Sequence, residues 1–388
     1  MQIVIITIMI RFIHTSDLHL TDPRKPEGAH RLEVLREICA LARKHDALVI
    51  SGDLFDSAGE AEFLHEAVKT ILTEINPVPV LVIPGNHDFL RGENPFDGRY
   101  DLGQSVNVRL LTQAPFDVFR LDKFVLYGFP FQPSLTTADL FRTLPPLAGE
   151  KRIAILHGTP SAMEALAGFA ARPENAEEGG DFIIKEQDLR MSGFIYAALG
   201  HIHKPAQWQS GDAFLSYCGT PDAVRITEEE SGFVNSVTVT AEGKASVERL
   251  AVKNALAAAR KQFLVFPGDE DELFEKINAF VSEVKDRCRP GVIIDGIADL
   301  NRVQDTALRV SSKWKALPCP VHFKIRAEQT GENAKDMMLC TFLRRIQTQA
   351  ADNPSPARRD TLRRMLVLGW RTMTGKTIDP EDLLEQTK

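Results

Sequence analysis

Cysteine is scarce in this chain. Its 388 residues hold five, at Cys39, Cys218, Cys288, Cys319 and Cys340, with no CxxC pair. That spacing excludes a disulfide scaffold and a cysteine-built structural zinc site, and it fits a reducing cytosol, so a cytoplasmic location is expected. An excess of positive charge is also missing: 46 Lys and Arg stand against 53 Asp and Glu, a net charge of −7. A nucleic-acid partner would therefore have to be held by a local patch or by metal ions rather than by overall charge. No hydrophobic run reaches membrane length. The apolar stretch at 1–10 is too short to span, and it lacks the basic flank and A-x-A site of a signal peptide. Either Met9 is the natural start or residues 1–8 extend the first strand. No internal repeat or low-complexity tract stands out.

What remains is an ordinary globular composition, 44% hydrophobic and 26% charged, in a chain long enough for two or three domains. Short apolar strands alternate with helical periodicity. A strand at 11–16 runs out at Asp17-Leu18-His19, and Leu32, Leu35, Ile38, Leu41 and Ala42 then recur at helical steps. The run Ala47-Leu48-Val49-Ile50-Ser51 ends in Gly52-Asp53, a helix is expected over 61–75, and Val80-Leu81-Val82-Ile83-Pro84 leads to Gly85-Asn86-His87-Asp88. Residues 91–122 read as irregular and 168–181 as a mobile insertion. Strands are expected at 124–130, 151–158, 194–199 and 213–217, and a hairpin over 233–250 with Glu242-Gly243 at its turn. Near Val252 the pattern changes: strands at 263–266, 292–295 and 322–325 with a helix over 269–288 suggest a small α+β module. Mostly helical residues follow from 335. This strand-helix order favours a layered α/β domain with its functional groups at strand ends.

Five strand exits carry Asp17 and His19, Asp53, Asn86 and His87, His157, and His201 and His203. Carboxylate, amide and imidazole donors without cysteine suit Mn2+, Fe2+ or Zn2+. Seven ligand candidates exceed what one ion needs and fit two ions sharing a carboxylate, an arrangement that activates water for phosphoryl transfer. Taken singly, each aspartate also fits a turn or a helix cap, and Gly-Asn-His-Asp a simple turn. It is their order, each at the end of an apolar strand, that separates the set from those readings.

Asp17-x-His19, Gly52-Asp53-x-x-Asp56, Gly85-Asn86-His87-Asp88, His157-Gly158 and Gly200-His201-x-His203 resemble, in order, the five motifs of calcineurin-like metallophosphoesterases. More narrowly, His14-Thr15-Ser16-Asp17-Leu18-His19-Leu20, Gly52-Asp53-Leu54-Phe55-Asp56, Ala198-Leu199-Gly200-His201-Ile202-His203 and Tyr217-Cys218-Gly219-Thr220-Pro221 resemble SbcD-type DNA repair nucleases. The resemblance implies a four-layer α/β/β/α sandwich over 9–250, a small α+β cap over 255–330, and a helical tail over 335–388. It implies one cation on Asp17, His19, Asp53 and His203, and a second on Asp53, Asn86, His157 and His201. His87 would be a proton donor to the leaving oxygen or a stabiliser of the transition state, with Asp56 and Asp88 orienting ligands. The implied function is a Mn2+-dependent DNA nuclease, exonuclease on duplex ends and endonuclease on single strands. It would be a homodimer partnered by an SbcC-type, SMC-like coiled-coil ATPase. A phosphoesterase of small substrates, such as cyclic nucleotides or nucleotide-sugars, would share every ligand, and a non-catalytic scaffold would share the fold.

Asp222-Ala223-Val224-Arg225 departs from the apolar, serine-containing run that the nuclease pattern leads one to expect after Pro221. His14 reads as a packed strand residue behind the site, and His30, His45, His65 and His322 as surface residues. Trp208, Trp314 and Trp370 read as core or interface. Arg24, Lys25 and Arg31 are candidates for phosphate contacts, with a solvated loop as the plainer reading. Arg358, Arg359, Arg363 and Arg364, interleaved with Leu362, Met365, Leu366, Leu368 and Trp370, form a basic amphipathic helix for partner or DNA docking, or for packing on its own chain.

Overall fold

The computed structural model describes residues 9–88, 105–132, 136–161, 182–265, 270–329, 345–346, 348–349 and 355–373. The suggested extension at 1–8 and insertion at 168–181 lie outside them. The chain divides into two compact units, Met1–Ala258 and Ala259–Lys388.

In the first unit, β1 (Met9–Thr15) feeds α1 (Pro26–Ala42), β2 (Ala47–Ser51), α2 (Ala58–Thr73), β3 (Val80–Ile83) and β4 (Val108–Leu110). The second half supplies β5 (Asp117–Leu121), β6 (Phe124–Gly128), α3 (Thr137–Arg142), β7 (Lys151–His157), β8 (Thr159–Pro160), β9 (Ile183–Ile184), α4 (Glu186–Met191), β10 (Phe194–Gly200), β11 (Ala206–Ser210), β12 (Ala213–Tyr217), β13 (Phe233–Thr240) and β14 (Ala245–Ala251). Two six-stranded sheets result, in the orders β14-β13-β1-β2-β3-β4 and β11-β12-β10-β7-β6-β5. β1, β2, β3 and β4 pair in parallel, as do β6, β7, β10 and β12, while the hairpin β13-β14 adds antiparallel to β1.

Side-chain alternation turns these sheets into layers. Phe12, Val49, Leu81 and Ile83 face the second sheet and pack with Leu126, Ile153, Ile155, Tyr196 and Ala198. Their sequence neighbours Ile13, Leu48, Ile50, Val80 and Val82 point the other way, onto Leu35, Ile38, Ala42, Leu64, Val68 and Ile71 of α1 and α2. On the far side of the second sheet, Tyr127, Ala154, Leu156, Ala197 and Leu199 pack on Leu140, Phe141 and Leu189 of α3 and α4. Three apolar seams therefore hold four layers, α/β/β/α. Pro26 starts α1, Ser57 Oγ accepts from Glu60 N to cap α2, and Thr136 with Asp139 forms a capping box on α3.

Several elements leave no clear mark in the sequence. β4 and β5 fall in the stretch read as irregular: β4 has three residues, and β5 alternates through Asp117 and Arg120 at the sheet edge. α3 and α4 have six residues each, too few for a periodic signal. His14 is buried as expected, its Nδ1 3.1 Å from the Tyr196 hydroxyl, and burial lowers its pKa to about 3. His30 and His45 are corrections. Both are half-buried and partnered rather than freely solvated: His30 meets Asp222 at 3.2 Å, and His45 bonds Leu41 O and Ser236 Oγ. His65 and His322 are likewise only partly exposed, and His65 Nδ1 lies against Ala61 O and Glu62 O. Trp208 stacks on Tyr217 against the second sheet.

In the second unit, β15 (Ala257–Val265), α5 (Glu270–Val284), β16 (Cys288–Ala298), α6 (Leu300–Lys313), β17 (His322–Ile325) and β18 (Glu328–Gln329) surround a core of Val265, Leu273, Ile277, Val281, Val292, Ile294, Val303 and Val310. Trp314 packs there and donates to Asn278 Oδ1 at 2.8 Å. A last helix, α7 (Pro356–Met373), carries the basic amphipathic stretch: Arg358 and Met365 are exposed, while the side chains of Arg359, Arg363, Leu366 and Trp370 lie outside the described residues. Among the described residues no helix is long and apolar enough to cross a membrane.

Between the sheets a buried polar chain runs from His14 through Tyr196 to Ser216, which also accepts from Asn235 Nδ2 at 2.9 Å. Tyr196→Phe removes the shared hydroxyl and leaves His14 Nδ1 without that partner. It is expected to lower the unfolding free energy of the first unit by about 1–3 kcal/mol with divalent-ion binding unchanged. Equilibrium denaturation together with metal titration checks this, and unaltered stability contradicts it.

Candidate metal centre

The site is assembled by backbone before any side chain reaches it. The loops after β1 and β2 run side by side: Asp17 N donates to Gly52 O, His19 N to Asp53 O and Leu20 N to Leu54 O, at 3.0–3.1 Å. Asp17, His19, Asp53 and His201 all adopt left-handed φ values, 53°, 45°, 51° and 98°; among the described residues the only other non-glycine with positive φ is Asp122. Each such conformer costs on the order of 1–3 kcal/mol and persists only where the surroundings enforce it. The enforcement is visible. Arg31, buried in α1, donates to His19 O, Thr220 Oγ1 donates to Asp17 O at 2.9 Å, and His201 N donates to Asp17 Oδ1 at 3.0 Å. Glycines permit the close approach: a Cβ at Gly85 would overlap Asp53 Oδ1, and one at Gly200 would overlap Ser51 O.

All eight residues singled out in the sequence converge there. His19 Nε2 lies 3.1 Å from His203 Nε2 and 3.8 Å from Asp53 Oδ2, and His203 Nε2 lies 3.9 Å from Asp17 Oδ1. On the other side of Asp53, His157 Nε2 lies 3.3 Å from Asp53 Oδ2 and 2.9 Å from Asn86 Oδ1, which His201 Nδ1 also meets at 2.9 Å. His87 sits edge-on to His19 with ring centres 4.7 Å apart. Its backbone N donates to Asp53 Oδ1, and its ring Nδ1 lies 2.9 Å from Asp56 O.

Three of the imidazoles are aimed by an acceptor on the far side of the ring. Nδ1 of His19 faces Asp56 Oδ1 at 3.2 Å, Nδ1 of His157 faces Ser51 O at 2.8 Å, and Nδ1 of His203 faces Glu228 Oε1 at 2.6 Å. With the ring proton given to those oxygens, the Nε2 lone pairs of His19 and His203 point at one another. Two ring nitrogens at 3.1 Å beside two buried carboxylates call for a positive charge between them, a shared proton or a cation. Oxygen and nitrogen donors in these numbers, with no thiolate, fit hard-to-borderline divalent cations. Ligand atoms of Asp17, His19 and His203, of His19, Asp53 and His87, and of Asp17, Asp53 and His157 each lie within 4.8 Å of one another, so Asp53 belongs to groups on both sides.

The electrostatics follow from burial and pairing. Burial opposes the ionised form of Asp53, but the charge and hydrogen bond of His157, with His19 and His87, outweigh it and hold its pKa far below the carboxylate range. Burial likewise disfavours charge on His157, yet Asp53 and Asp17 raise its pKa to about 9. His203 is shifted up in the same way, against burial, by Glu228 and Asp17, whereas burial keeps His19 low despite Asp56. Asp88 is raised to about 7 by burial and by the Asp53 charge, partly countered by the backbone N–H groups of Gly85, Phe55 and Leu54 that it accepts. It ties the Asp53 loop to the Asn86 loop.

Some sequence candidates take structural roles instead. Arg31 is 5% exposed and holds the His19 loop, so it is not a phosphate contact. Arg24 is exposed but paired with Asp22 and laid over Phe63. Asp222 is buried, bonding His30 and Leu256 N, so the departure after Pro221 is a packing feature of that turn. Glu228, which the sequence reading does not single out, meets the His203 ring at the edge of the site. It sits 25 residues beyond His203 in an acidic run, and only folding reveals its partner.

A cation entering must displace the proton held by His157, so divalent-ion affinity is expected to rise with pH between about 6.5 and 9. The metal-free protein should show the opposite trend. The raised pKa of His157 stabilises the fold fully below 6.5, and that contribution is lost as pH rises through about 9. Calorimetric titration with Mn2+ and melting of metal-free protein across this window check both signs; a flat affinity contradicts the assignment.

The family model for calcineurin-like phosphoesterases matches residues 10–218, just over half of the chain. Among curated proteins, the chain is 29% identical over 241 residues to a metallophosphoesterase of Bacillus subtilis named YhaO, covering 56% of this chain and 55% of that one. It is 27% identical over 269 residues to the D component of the nuclease SbcCD from the same organism, covering 59% and 66%. The chain thus spans less than two thirds of the length of either relative. Of solved structures, TT1561 of Thermus thermophilus aligns with 15% identity and a TM-score of 0.39, covering 63% of this chain and all of that one. The family match takes in every strand exit but those beyond β12, together with all eight converging residues. The chain belongs to the calcineurin-like phosphoesterase family, and the site it assembles is that of a metal-dependent hydrolase.

Proposed function

We propose that the protein is a two-cation phosphodiesterase acting on DNA. The observation that carries the reading is the placement of Asp53 between two groups of donors, Asp17, His19 and His203 on one side and Asn86, His157 and His201 on the other. Bound there, a pair of divalent cations, Mn2+ by our reading, would supply Lewis acidity for activating water and neutralising phosphate charge.

The chain's own groups do the rest. Asp56 and Ser51 O aim His19 and His157, and Asp88 fixes the loops of Asp53 and Asn86 relative to each other. His87 has its Nδ1 committed to Asp56 O, so Nε2 is the atom that can hold a proton and pass it to the departing oxygen. DNA as the substrate is supported by the similarity to a nuclease component and by the Tyr217-Cys218-Gly219-Thr220-Pro221 turn. That turn is built into the site: Thr220 N donates to His203 O, its hydroxyl to Asp17 O, and the Tyr217 hydroxyl to Gly158 O. On this reading residues 255–330 form a cap, residues 335–388 carry a docking segment for a coiled-coil ATPase, and the chain works as a homodimer.

His87→Gln is expected to keep both cations and to lose about 10²–10⁴-fold in turnover, because only the proton donor is removed. Metal analysis beside initial rates checks this, and unchanged turnover contradicts the assignment. Incubation with Mn2+ and labelled linear duplex, in parallel with small phosphodiesters, tests the substrate. Degradation of the duplex is expected. Rapid hydrolysis of small esters with the duplex left intact, with or without an ATPase partner, would assign the site to small substrates instead.

A further inference from the structure

We propose that Glu228 positions His203, holding its imidazole with Nε2 toward Asp17 and His19, and so sets how tightly the cation of that side is held. The proposal rests on the two-cation reading of the site and assigns within it a residue outside all five motifs.

Glu228 Oε1 lies 2.6 Å from His203 Nδ1, closer than Asp56 Oδ1 lies to His19 or Ser51 O to His157. Its other oxygen is fully engaged, accepting from Val224 N at 2.6 Å and Arg225 N at 2.9 Å. A carboxylate bound at both oxygens cannot rotate away, and its side chain is only 7% exposed. The segment behind it is anchored as well. Glu228 O accepts from Ala258 N, Ala223 N donates to Leu256 O, Leu256 N donates to Asp222 Oδ1, and Gly232 N donates to Pro221 O. His203 itself follows Gly200 in an exit loop, where its backbone alone would leave the ring free to turn about χ2. An acceptor-only group at Nδ1 demands an N–H there, which leaves Nε2 as the lone pair facing the site. Asp56 does the same for His19, but its side chain is 45% exposed. Glu228 is the buried counterpart.

Glu228→Gln separates this role from that of a turn fastener. With its amide oxygen kept on Val224 N and Arg225 N, the substituted side chain turns its NH2 toward His203 Nδ1, which must then accept, so the ring proton moves to Nε2. The turn survives and the ligand is inverted. The experiment pairs two-bond ¹H–¹⁵N correlation of the histidines in metal-free protein at one alkaline pH with calorimetric titration by Mn2+. Wild type is expected to show the Nδ1–H tautomer at His203 and two bound ions. Glu228→Gln should show Nε2–H and an affinity weaker by about 10–100-fold for one ion, the other and the melting temperature being nearly unchanged. Glu228→Ala, if it melts cooperatively, should weaken the same ion. A Glu228→Gln protein with unaltered tautomer and both affinities intact overturns the proposal, even if its melting temperature falls. Wild type binding no divalent ion would instead overturn the two-cation reading, and this assignment with it.

Discussion

Two carboxylates, Asp17 at 0% exposure and Asp53 at 1%, lie buried where the strands of two sheets run out, and the rest of the site exists to make that tolerable. A buried anion is costly unless it is paired and hydrogen-bonded. In the metal-free protein the pairing comes from His157 and His203, both shifted toward the charged form, and from the backbone N–H groups of His87 and His201. The two imidazoles are themselves good ligands once deprotonated. The same geometry that holds protons without metal is thus ready to exchange them for cations.

That readiness depends on the fold. Parallel strands β1, β2 and β3 in one sheet, and β7 and β10 in the other, end at the same edge, and the exit loops of β1, β2 and β10 bend into left-handed backbone to turn side chains inward. The strain is held by groups from other elements, Arg31 from α1 and, 203 residues away in sequence, Thr220 from the turn after β12. The apolar seams on either side of each sheet supply the rigidity that lets a loop keep such a conformation.

Much of this was legible in the sequence because the informative residues sit at strand ends, where an apolar run stops and a Gly-Asp or Gly-His begins. The eight converging side chains follow from that pattern, while the hairpin at 233–250 and the packed His14 follow from the strand and turn signals alone. What was not legible depends on tertiary pairing. Glu228 looks like any member of an acidic run until it meets His203, and Arg31 looks like a solvent-facing cation until α1 packs and turns it onto His19 O. The part-buried pairing of His30 with Asp222, and of His45 with Ser236, joins residues far apart in the chain and leaves no local trace. Short elements such as α3, α4 and β4 fail for another reason: they hold too few residues for a period to register.

The most direct measurement is anomalous diffraction at the manganese edge from crystals grown with Mn2+. Two peaks flanking the Asp53 carboxylate are expected, one within coordinating reach of Asp17, His19 and His203 and the other of Asn86, His157 and His201. A map with no peak beside Asp53, in crystals that bind Mn2+ elsewhere or not at all, would contradict the account.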